Sequence, residues 1–161
     1  MMYFILKYLH VVGAAVSLGT GAGIAFFMLA AHLGGKPSVI AGVARIVVIA
    51  DFIFTATAVV VQAVTGSLLI LNVGYSFWDG WIVWSIMLYV LTGALWLPVV
   101  WMQMRLRDLA STAAAKGSSL PAEYHRMFWL WFAFGIPAFT AVAAILWLMI
   151  AKPQLALFRL W

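Results

Sequence analysis

The sequence predicts an all-α integral membrane protein, a four-helix bundle whose helices run antiparallel, up-down-up-down, in a single transmembrane domain over residues 1–161. Apolar residues make up 67% of the chain and charged residues only 8%, far from the usage of soluble domains. Four long apolar runs are each near or above the roughly 20 residues that cross a bilayer as a helix. Most charged residues lie at the ends of these runs or between them, which favours membrane spans over buried soluble helices.

The four runs give the predicted spans and their connections. The spans cover residues 4–31, 46–72, 81–104 and 127–151. The segment from His32 to Arg45 is expected to be a short loop. In the third connection, Leu106 to Lys116 is expected to continue the third helix until Gly117 stops it. The first run is too long for the apolar part of a signal peptide and follows no basic segment, which favours a retained span.

Charged and aromatic residues mark the two predicted membrane boundaries. Six positive charges lie at one end: Lys36, Arg45, Arg105, Arg107, Lys116 and Arg126. Three lie at the other: Lys7, Lys152 and Arg159. An inner aromatic belt is predicted from Trp101, Tyr124, Trp129 and Trp131. Because positive residues are enriched on the cytoplasmic side, we predict a multi-pass protein with both termini outside. Its partner is the lipid bilayer and not nucleic acid, since these charges suit anionic headgroups.

Small and polar residues recur every three or four positions in the spans, which places them on one face of each helix. In the first span this stripe contains His10, Ser17, Gly21 and Ala25. Because a polar group in hydrocarbon needs a partner within the protein, we predict a buried polar seam between the helices. Its members are Ser17, Asp51, Thr55, Gln62, Thr65, Ser85, Tyr89 and Gln103.

A second face of the first span carries small residues only. Ala15, Gly19 and Gly23 are spaced four residues apart, a small-xxx-small series. Such a series lets two membrane helices approach closely. Close packing matters there because the hydrophobic effect does not drive helices together within lipid. This face is therefore the predicted contact of a homo-oligomer.

Two ionisable residues inside the spans are candidates for function, because a charge at mid-span costs about 2.5 to 3.5 kcal/mol on insertion scales. For Asp51 the sequence leaves open a structural role, as an ion pair or a helix-start carboxylate, and a proton or ion relay. For His10 it leaves open a structural hydrogen bond and a role as a haem or metal ligand or proton carrier. His32 and His125 are expected to be solvated loop residues. No metal site is predicted, since the chain has no cysteine and no helix carries closely spaced His and carboxylate ligands.

Three stretches resemble a superfamily of small bacterial membrane proteins. They are the opening YFILKYLHVVGAAVSLGTGAGIAFF, the Gly80-Trp81 pair that begins the third span, and the closing apolar span that ends in Lys152-Pro153. The superfamily includes the HemJ-type protoporphyrinogen oxidases and the CopD-like copper-resistance proteins. More closely, nearly the whole chain resembles a bacterial family of predicted integral membrane proteins with a domain of unknown function.

The resemblance implies a four-helix bundle in the bacterial inner membrane and, for HemJ-type members, a b-type haem and oxidation of a porphyrin precursor. Of their functional residues only the first-helix histidine carries over, onto His10, which makes it the candidate haem ligand. Their third helix begins with a Trp-Leu-His-x-Lys pattern, whereas Trp81 is followed here by Ile-Val-Trp-Ser. Both the histidine and the lysine of that pattern are missing, so porphyrinogen oxidation is not implied for this chain.

Two functions from different classes follow. The first is a role in redox chemistry or electron transfer, with one b-type haem near His10 at the outer side. Its second ligand would come from Met87, Met149, Lys152 or water. The second is a non-enzymatic membrane scaffold or an accessory of a transporter or channel. In that case the polar seam holds the helices together or lines a narrow ion path. Neither function allows catalytic residues to be assigned.

Overall fold

A computed structural model describes residues 1–154, which form helices joined by short turns. Arg159, one of the three positive charges assigned to the outer end, lies outside the described residues. The helices are α1 (Met2–Gly34), α2 (Pro37–Ala50), a short π-helical segment (Asp51–Thr55), α3 (Ala56–Val73), α4 (Gly80–Ala115) and α5 (Ala122–Ala151).

Four helical stretches are long and apolar enough to cross a membrane. They are α1, the continuous run from α2 to the end of α3, α4 and α5. Short turns join them end to end, so consecutive spans run in opposite directions. The predicted all-α, four-helix bundle is therefore confirmed. All four helical stretches begin earlier than the predicted spans, and the first three also end later, because the chain stays helical beyond its most apolar residues. The fourth ends at Ala151, as predicted.

The first connection differs from the prediction, and the expected loop from His32 to Arg45 is wrong. Only residues 35–36 separate α1 from α2. Gly35 ends α1 with φ +68°, a left-handed conformation that glycine adopts without steric cost. Pro37 begins α2, where its missing N–H is not needed. The segment is helical because it buries an apolar face against the core, formed by Ile40, Ala44, Val47 and Val48.

The third connection follows the prediction. α4 continues to Ala115, and Gly117 follows its end with φ +61°. Residues 116–121 then lead into α5. Arg105 and Glu123 form an exposed ion pair at 3.1 Å across this end, which is consistent with a water-facing segment. Such exposed pairs contribute little to stability, about 1 kcal/mol or less.

The closely packed core lies where α1, α2, α4 and α5 meet, at the end of the bundle with the turns at residues 35–36 and 116–121. This end is called the inner end after the predicted orientation. Its fully buried large side chains are Met28, Ile40, Leu106, Tyr124 and Phe128. The predicted inner aromatic belt is therefore wrong for Tyr124 and Trp131, which belong to this core. Trp101 and Trp129 are exposed, as a belt requires. The inner end is thus the part of the bundle whose packing holds the four spans together.

The second span changes its packing partner along its length. α2 packs mainly against α4, whereas α3 packs mainly against α1 and has little contact with α4. The π-helical segment lies between these two parts. α4 and α5 pack against each other along an extended contact, and α1 touches α5 over a smaller one. Space therefore remains between the pair α1–α3 and the pair α4–α5.

We expect Leu106→Ala to lower the free energy of unfolding by about 2 kcal/mol or more, since Leu106 is fully buried and its truncation leaves a cavity. Leu97→Ala is the matched control on the same helix, because Leu97 is 65% exposed, and it should cost less than about 0.5 kcal/mol. Denaturant titration in detergent micelles measures both. Equal losses in the two variants would contradict a packed core at the inner end.

Candidate functional site

A cavity of about 380 Å³ lies between the four spans. It is bounded by α1, by the π-helical segment and the start of α3, by α4 and by α5. Its volume falls within the range of small-molecule sites, which is about 300 to 1,000 Å³. Aliphatic side chains form much of the wall, among them Ile24, Val59, Val99, Ile136 and Val142. The cavity therefore suits a ligand with a mainly apolar body.

Asp51 contributes a carboxylate to this apolar wall. The residue is only 3% exposed, and Trp96 Nε1 donates hydrogen bonds to its two oxygens at 3.3 and 3.2 Å. The Thr55 side chain lies beside the same carboxylate. Within the described residues no Lys, Arg or His side chain lines the cavity. The ion pair considered for Asp51 is therefore not formed there, and its hydrogen-bond partner is an uncharged indole.

Asp51 begins the π-helical segment, in which the Ala56 N–H bonds to the Asp51 carbonyl five residues earlier. Asp51 and Thr55 turn toward the cavity. The three residues between them are each about half exposed on the outside of the bundle, namely Phe52, Ile53 and Phe54. Single π turns inside α-helices occur frequently at functional sites. The backbone irregularity thus coincides with the carboxylate that faces the cavity.

Four buried polar atoms in the cavity wall make no hydrogen bond within the described part of the chain. They are Ser17 Oγ, Thr55 Oγ1, Gln103 Oε1 and Trp131 Nε1. Gln103 is 2% exposed and Trp131 is 4% exposed, so bulk water does not satisfy them. A buried polar atom without a partner costs about 1 to 3 kcal/mol. These atoms are accordingly available to a molecule that occupies the cavity.

The predicted polar seam divides into separate groups. Its members that line the cavity are Ser17, Asp51, Thr55, Tyr89 and Gln103. Gln62 and Thr65 instead join α3 to α1. Ser85 is buried and donates to the Trp81 carbonyl of its own helix at 2.7 Å. Some seam residues thus line the cavity, whereas others form the contact between α1 and α3.

Four further cavity residues with polar side-chain atoms lie outside the predicted seam: Thr92, Trp96, Trp131 and Thr140. Trp96 is seven residues from both Tyr89 and Gln103, so helical spacing places all three on one face of α4. That signal is present in the sequence. No spacing signal assigns Trp131 to the cavity, because a tryptophan near the end of an apolar run is also typical of an aromatic belt.

His10 lies in the contact between α1 and α3. Its Nδ1 is 2.9 Å from Thr65 Oγ1. The Thr65 hydroxyl donates its one proton to the Val61 carbonyl, so it accepts a hydrogen bond from His10 Nδ1–H. Gln62 Nε2 donates to the His10 backbone carbonyl. Gly66 permits this approach, since a Cβ there would lie 3.2 Å from His10 Cε1. The histidine therefore links two helices.

The surroundings of His10 do not fit a haem. Its ring packs against the backbone of α3, and the cavity wall does not include it. Of the second ligands considered, Met87 is 54% exposed on α4, and Lys152 Nζ donates to the Tyr75 hydroxyl at 2.9 Å. Among the described residues no group of three or more His, Asp or Glu is arranged to hold a metal ion. The contacts of His10 thus support the structural hydrogen bond.

His32 and His125 come together at the inner end of the bundle. The His32 ring stacks on Phe128 with centroids 3.7 Å apart, and its Nδ1 is 3.4 Å from the Tyr124 hydroxyl. The His125 ring centroid lies 5.7 Å from that of His32. The expectation that both are loop residues is wrong, since His32 lies within α1 and His125 within α5. His125 is exposed as expected, whereas His32 is partly buried.

We expect Thr65→Val to lower the free energy of unfolding by about 1 kcal/mol, because it removes the acceptor for His10 and interhelical hydrogen bonds in membranes contribute on that order. Thr112→Val is the matched control, since the exposed Thr112 hydroxyl bonds only the Asp108 carbonyl of its own helix at 2.9 Å. Denaturant titration in detergent compares the two variants with wild type. If Thr65→Val lowers the free energy of unfolding no more than Thr112→Val does, the His10–Thr65 hydrogen bond does not contribute to stability.

Comparison with known proteins gives one family. A family model described as a predicted integral membrane protein, DUF2269, matches residues 4–153. No curated protein and no solved structure matches the chain. The match covers nearly the whole described region, including the cavity and the α1–α3 contact. The chain therefore belongs to the DUF2269 family of predicted integral membrane proteins.

Proposed function

We propose that this protein is a non-enzymatic membrane protein of the transporter-accessory type, which binds a small molecule inside its four-helix bundle. The binding site is the cavity defined above. The ligand has an apolar body, which contacts the aliphatic wall, and a polar end, which reaches the carboxylate and amide groups. Binding sites between the helices of a bundle are common, and they take their specificity from a few polar groups in an apolar wall.

One observation carries this proposal. Four buried polar atoms without partners belong to residues that line the same cavity as Asp51, namely Ser17 Oγ, Thr55 Oγ1, Gln103 Oε1 and Trp131 Nε1. If these polar residues served only to hold helices together, their atoms would be expected to bond across helix contacts, as His10 bonds to Thr65. Their position around one cavity favours a ligand over a purely structural seam.

The alternative of a haem-dependent redox role has less support. A haem ligand needs open space beside its free ring nitrogen and an opposite ligand or open position. His10 is instead packed against α3 at Gly66. The cavity between the spans has a mainly apolar wall with a few oxygen and indole groups, and no histidine of the described residues lines it. We therefore base the proposed function on the cavity and not on His10.

Filling the cavity should abolish ligand binding without unfolding the protein. Gly135 lines the cavity, and a Cβ there would meet nothing within 4 Å. The side chain introduced by Gly135→Leu can therefore occupy part of the cavity. Gly42→Leu is the matched control, since Gly42 is exposed on α2, has the same open surroundings and lies outside the cavity wall. The probe is naphthylethanol, a small apolar ring system with one hydroxyl.

Equilibrium dialysis against the protein in lipid nanodiscs measures this binding, and empty nanodiscs correct for partition into lipid. We expect saturable binding to wild type and to Gly42→Leu, and binding at least about tenfold weaker to Gly135→Leu, because steric overlap excludes the ring. Helical content by circular dichroism confirms that each variant is folded. Equal binding to all three proteins, or none to wild type, would count against the cavity as a ligand site.

We also propose that the protein lies in the bacterial inner membrane with both termini outside. The turns at residues 35–36 and 116–121 lie at one end of the bundle, and the turn at residues 74–79 lies at the other. The first end carries most of the positive charges, including Lys36, Arg105 and Lys116. Positive residues near the ends of membrane helices are retained on the cytoplasmic side. This charge difference supports the proposed orientation.

Labelling of single introduced cysteines tests the orientation without background reaction, because the chain contains no native cysteine. Ser119→Cys lies in the turn between α4 and α5, and Ser76→Cys lies in the turn between α3 and α4. With a maleimide that cannot cross membranes, we expect Ser76→Cys to react in intact spheroplasts. Ser119→Cys should react only after the cells are lysed. The reverse pattern would show that both termini are cytoplasmic.

The homo-oligomer predicted through Ala15, Gly19 and Gly23 stays a proposal. Ala15 and Gly19 are exposed on α1, and a Cβ at Gly19 would meet nothing within 4 Å. This face is accordingly not used for packing against the other helices of the same chain. It supports the proposed contact with a second copy, in which small residues let two helices approach.

A further inference from the structure

We propose that the ligand of the cavity is a lipophilic organic cation, whose positively charged nitrogen is bound by Asp51. This inference rests on the proposed function and adds the chemical class of the ligand. It follows from three features of the cavity, namely an acidic group without a cationic partner, several hydrogen-bond acceptors, and several aromatic rings.

The first feature is the charge of the site. Asp51 is 3% exposed, and its carboxylate accepts hydrogen bonds from the neutral Trp96 indole. No basic side chain of the described residues lines the cavity. A buried carboxylate is stable when it is both hydrogen-bonded and paired with an opposite charge. Trp96 supplies the first of these, and a positively charged ligand would supply the second.

The second feature is the balance of hydrogen-bonding groups. The acceptors that face the cavity are the Asp51 oxygens and Gln103 Oε1, and the Ser17 hydroxyl can also accept. Trp131 Nε1 can only donate, and the Ser17 and Thr55 hydroxyls can both donate and accept. A ligand whose polar end carries several N–H groups can therefore donate to the Asp51 oxygens, to Gln103 Oε1 and to the two hydroxyls. An ammonium group has several N–H donors and no acceptor.

The third feature is the aromatic wall. Five aromatic residues line the cavity: Tyr89, Trp96, Trp131, Phe132 and Phe139. Aromatic faces attract organic cations through the ring quadrupole, and this attraction increases to about 2 kcal/mol or more when the groups are desolvated. A carboxylate among aromatic rings is thus suited to an ammonium that carries apolar groups.

The same features disfavour a bare metal ion as the ligand. A metal ion such as Na⁺ or Ca²⁺ needs several oxygen ligands within about 2.6 Å. The cavity offers one carboxylate, while much of its wall consists of aliphatic and aromatic carbon. Its volume of about 380 Å³ also far exceeds that of an ion. An organic cation uses the apolar wall as well as the carboxylate.

Two probes of matched shape test this inference: naphthylethylamine, which is a cation at pH 7, and naphthylethanol, which is neutral. Binding of each to the protein in uncharged nanodiscs is measured by equilibrium dialysis. For wild type we expect the amine to bind at least about tenfold more tightly than the alcohol, which corresponds to about 1.4 kcal/mol. The comparison needs no variant, so it remains decisive even if substitution at Asp51 prevents folding.

Asp51→Asn should abolish the preference for the amine, since the amide is nearly isosteric with the carboxylate but carries no charge. Asp79→Asn is the matched control, because it removes the same charge from the turn before α4, outside the cavity wall. That variant should keep the preference of wild type. A preference retained in Asp51→Asn, or lost equally in both variants, would overturn the role of Asp51.

The outcomes separate this inference from the proposed function. If both probes bind wild type with equal affinity and Gly135→Leu abolishes both, the cavity is a ligand site but the ligand is not a cation. If neither probe binds wild type in a saturable manner, the proposed function fails and this inference fails with it. Saturable binding of both probes, with a preference for the amine that depends on Asp51 and with both blocked by Gly135→Leu, is the result that supports both.

Discussion

Within the hydrocarbon region each polar group has to find a partner inside the protein, and this constraint determines how the four spans are arranged. Ser85 and Thr92 find their partners locally, by donating to carbonyls of their own helices. His10 and Gln62 form their hydrogen bonds across the contact between α1 and α3. Tyr89 donates to a backbone carbonyl of α3 at 2.8 Å and so connects that helix to α4. The groups left without partners are gathered around one cavity, where a single ligand can reach several of them.

The bundle divides into a packed half and an open half. At the inner end Leu106 and Phe128 are fully buried, and four helices contribute to one core. Toward the outer end the helices separate into the pairs α1–α3 and α4–α5, with the cavity beginning between them. Proteins place their binding regions where local stability is lowest, since those regions adjust at the least cost. The inner core therefore allows the remainder of the bundle to keep unpaired polar groups.

The span number and the inward position of Asp51 and Gln103 could be predicted, because both depend on local features, namely apolar run length and helical spacing. The sequence could not predict which seam residues line the cavity and which join two helices, since this depends on which helices pack against each other. Trp131 could not be assigned to the cavity, because burial of a boundary tryptophan depends on its neighbours. The segment from His32 to Arg45 looks like a loop from its charges and glycines. It is mostly helical because two residues are enough to reverse the chain and the helix that follows buries an apolar face.

The π-helical segment explains why a carboxylate and a cavity occur at the same place. A π turn contains one more residue than an α turn, so it rotates the helix that follows by about 100° relative to the helix before it. The buried face of the second span consequently turns from α4, against which α2 packs, to α1, against which α3 packs. Beyond the turn α3 no longer fills the space beside α4, and Asp51, the first residue of the turn, faces the opening that results. The irregular turn thus creates the cavity and positions the charged group within it, which is why we regard the two as parts of one site.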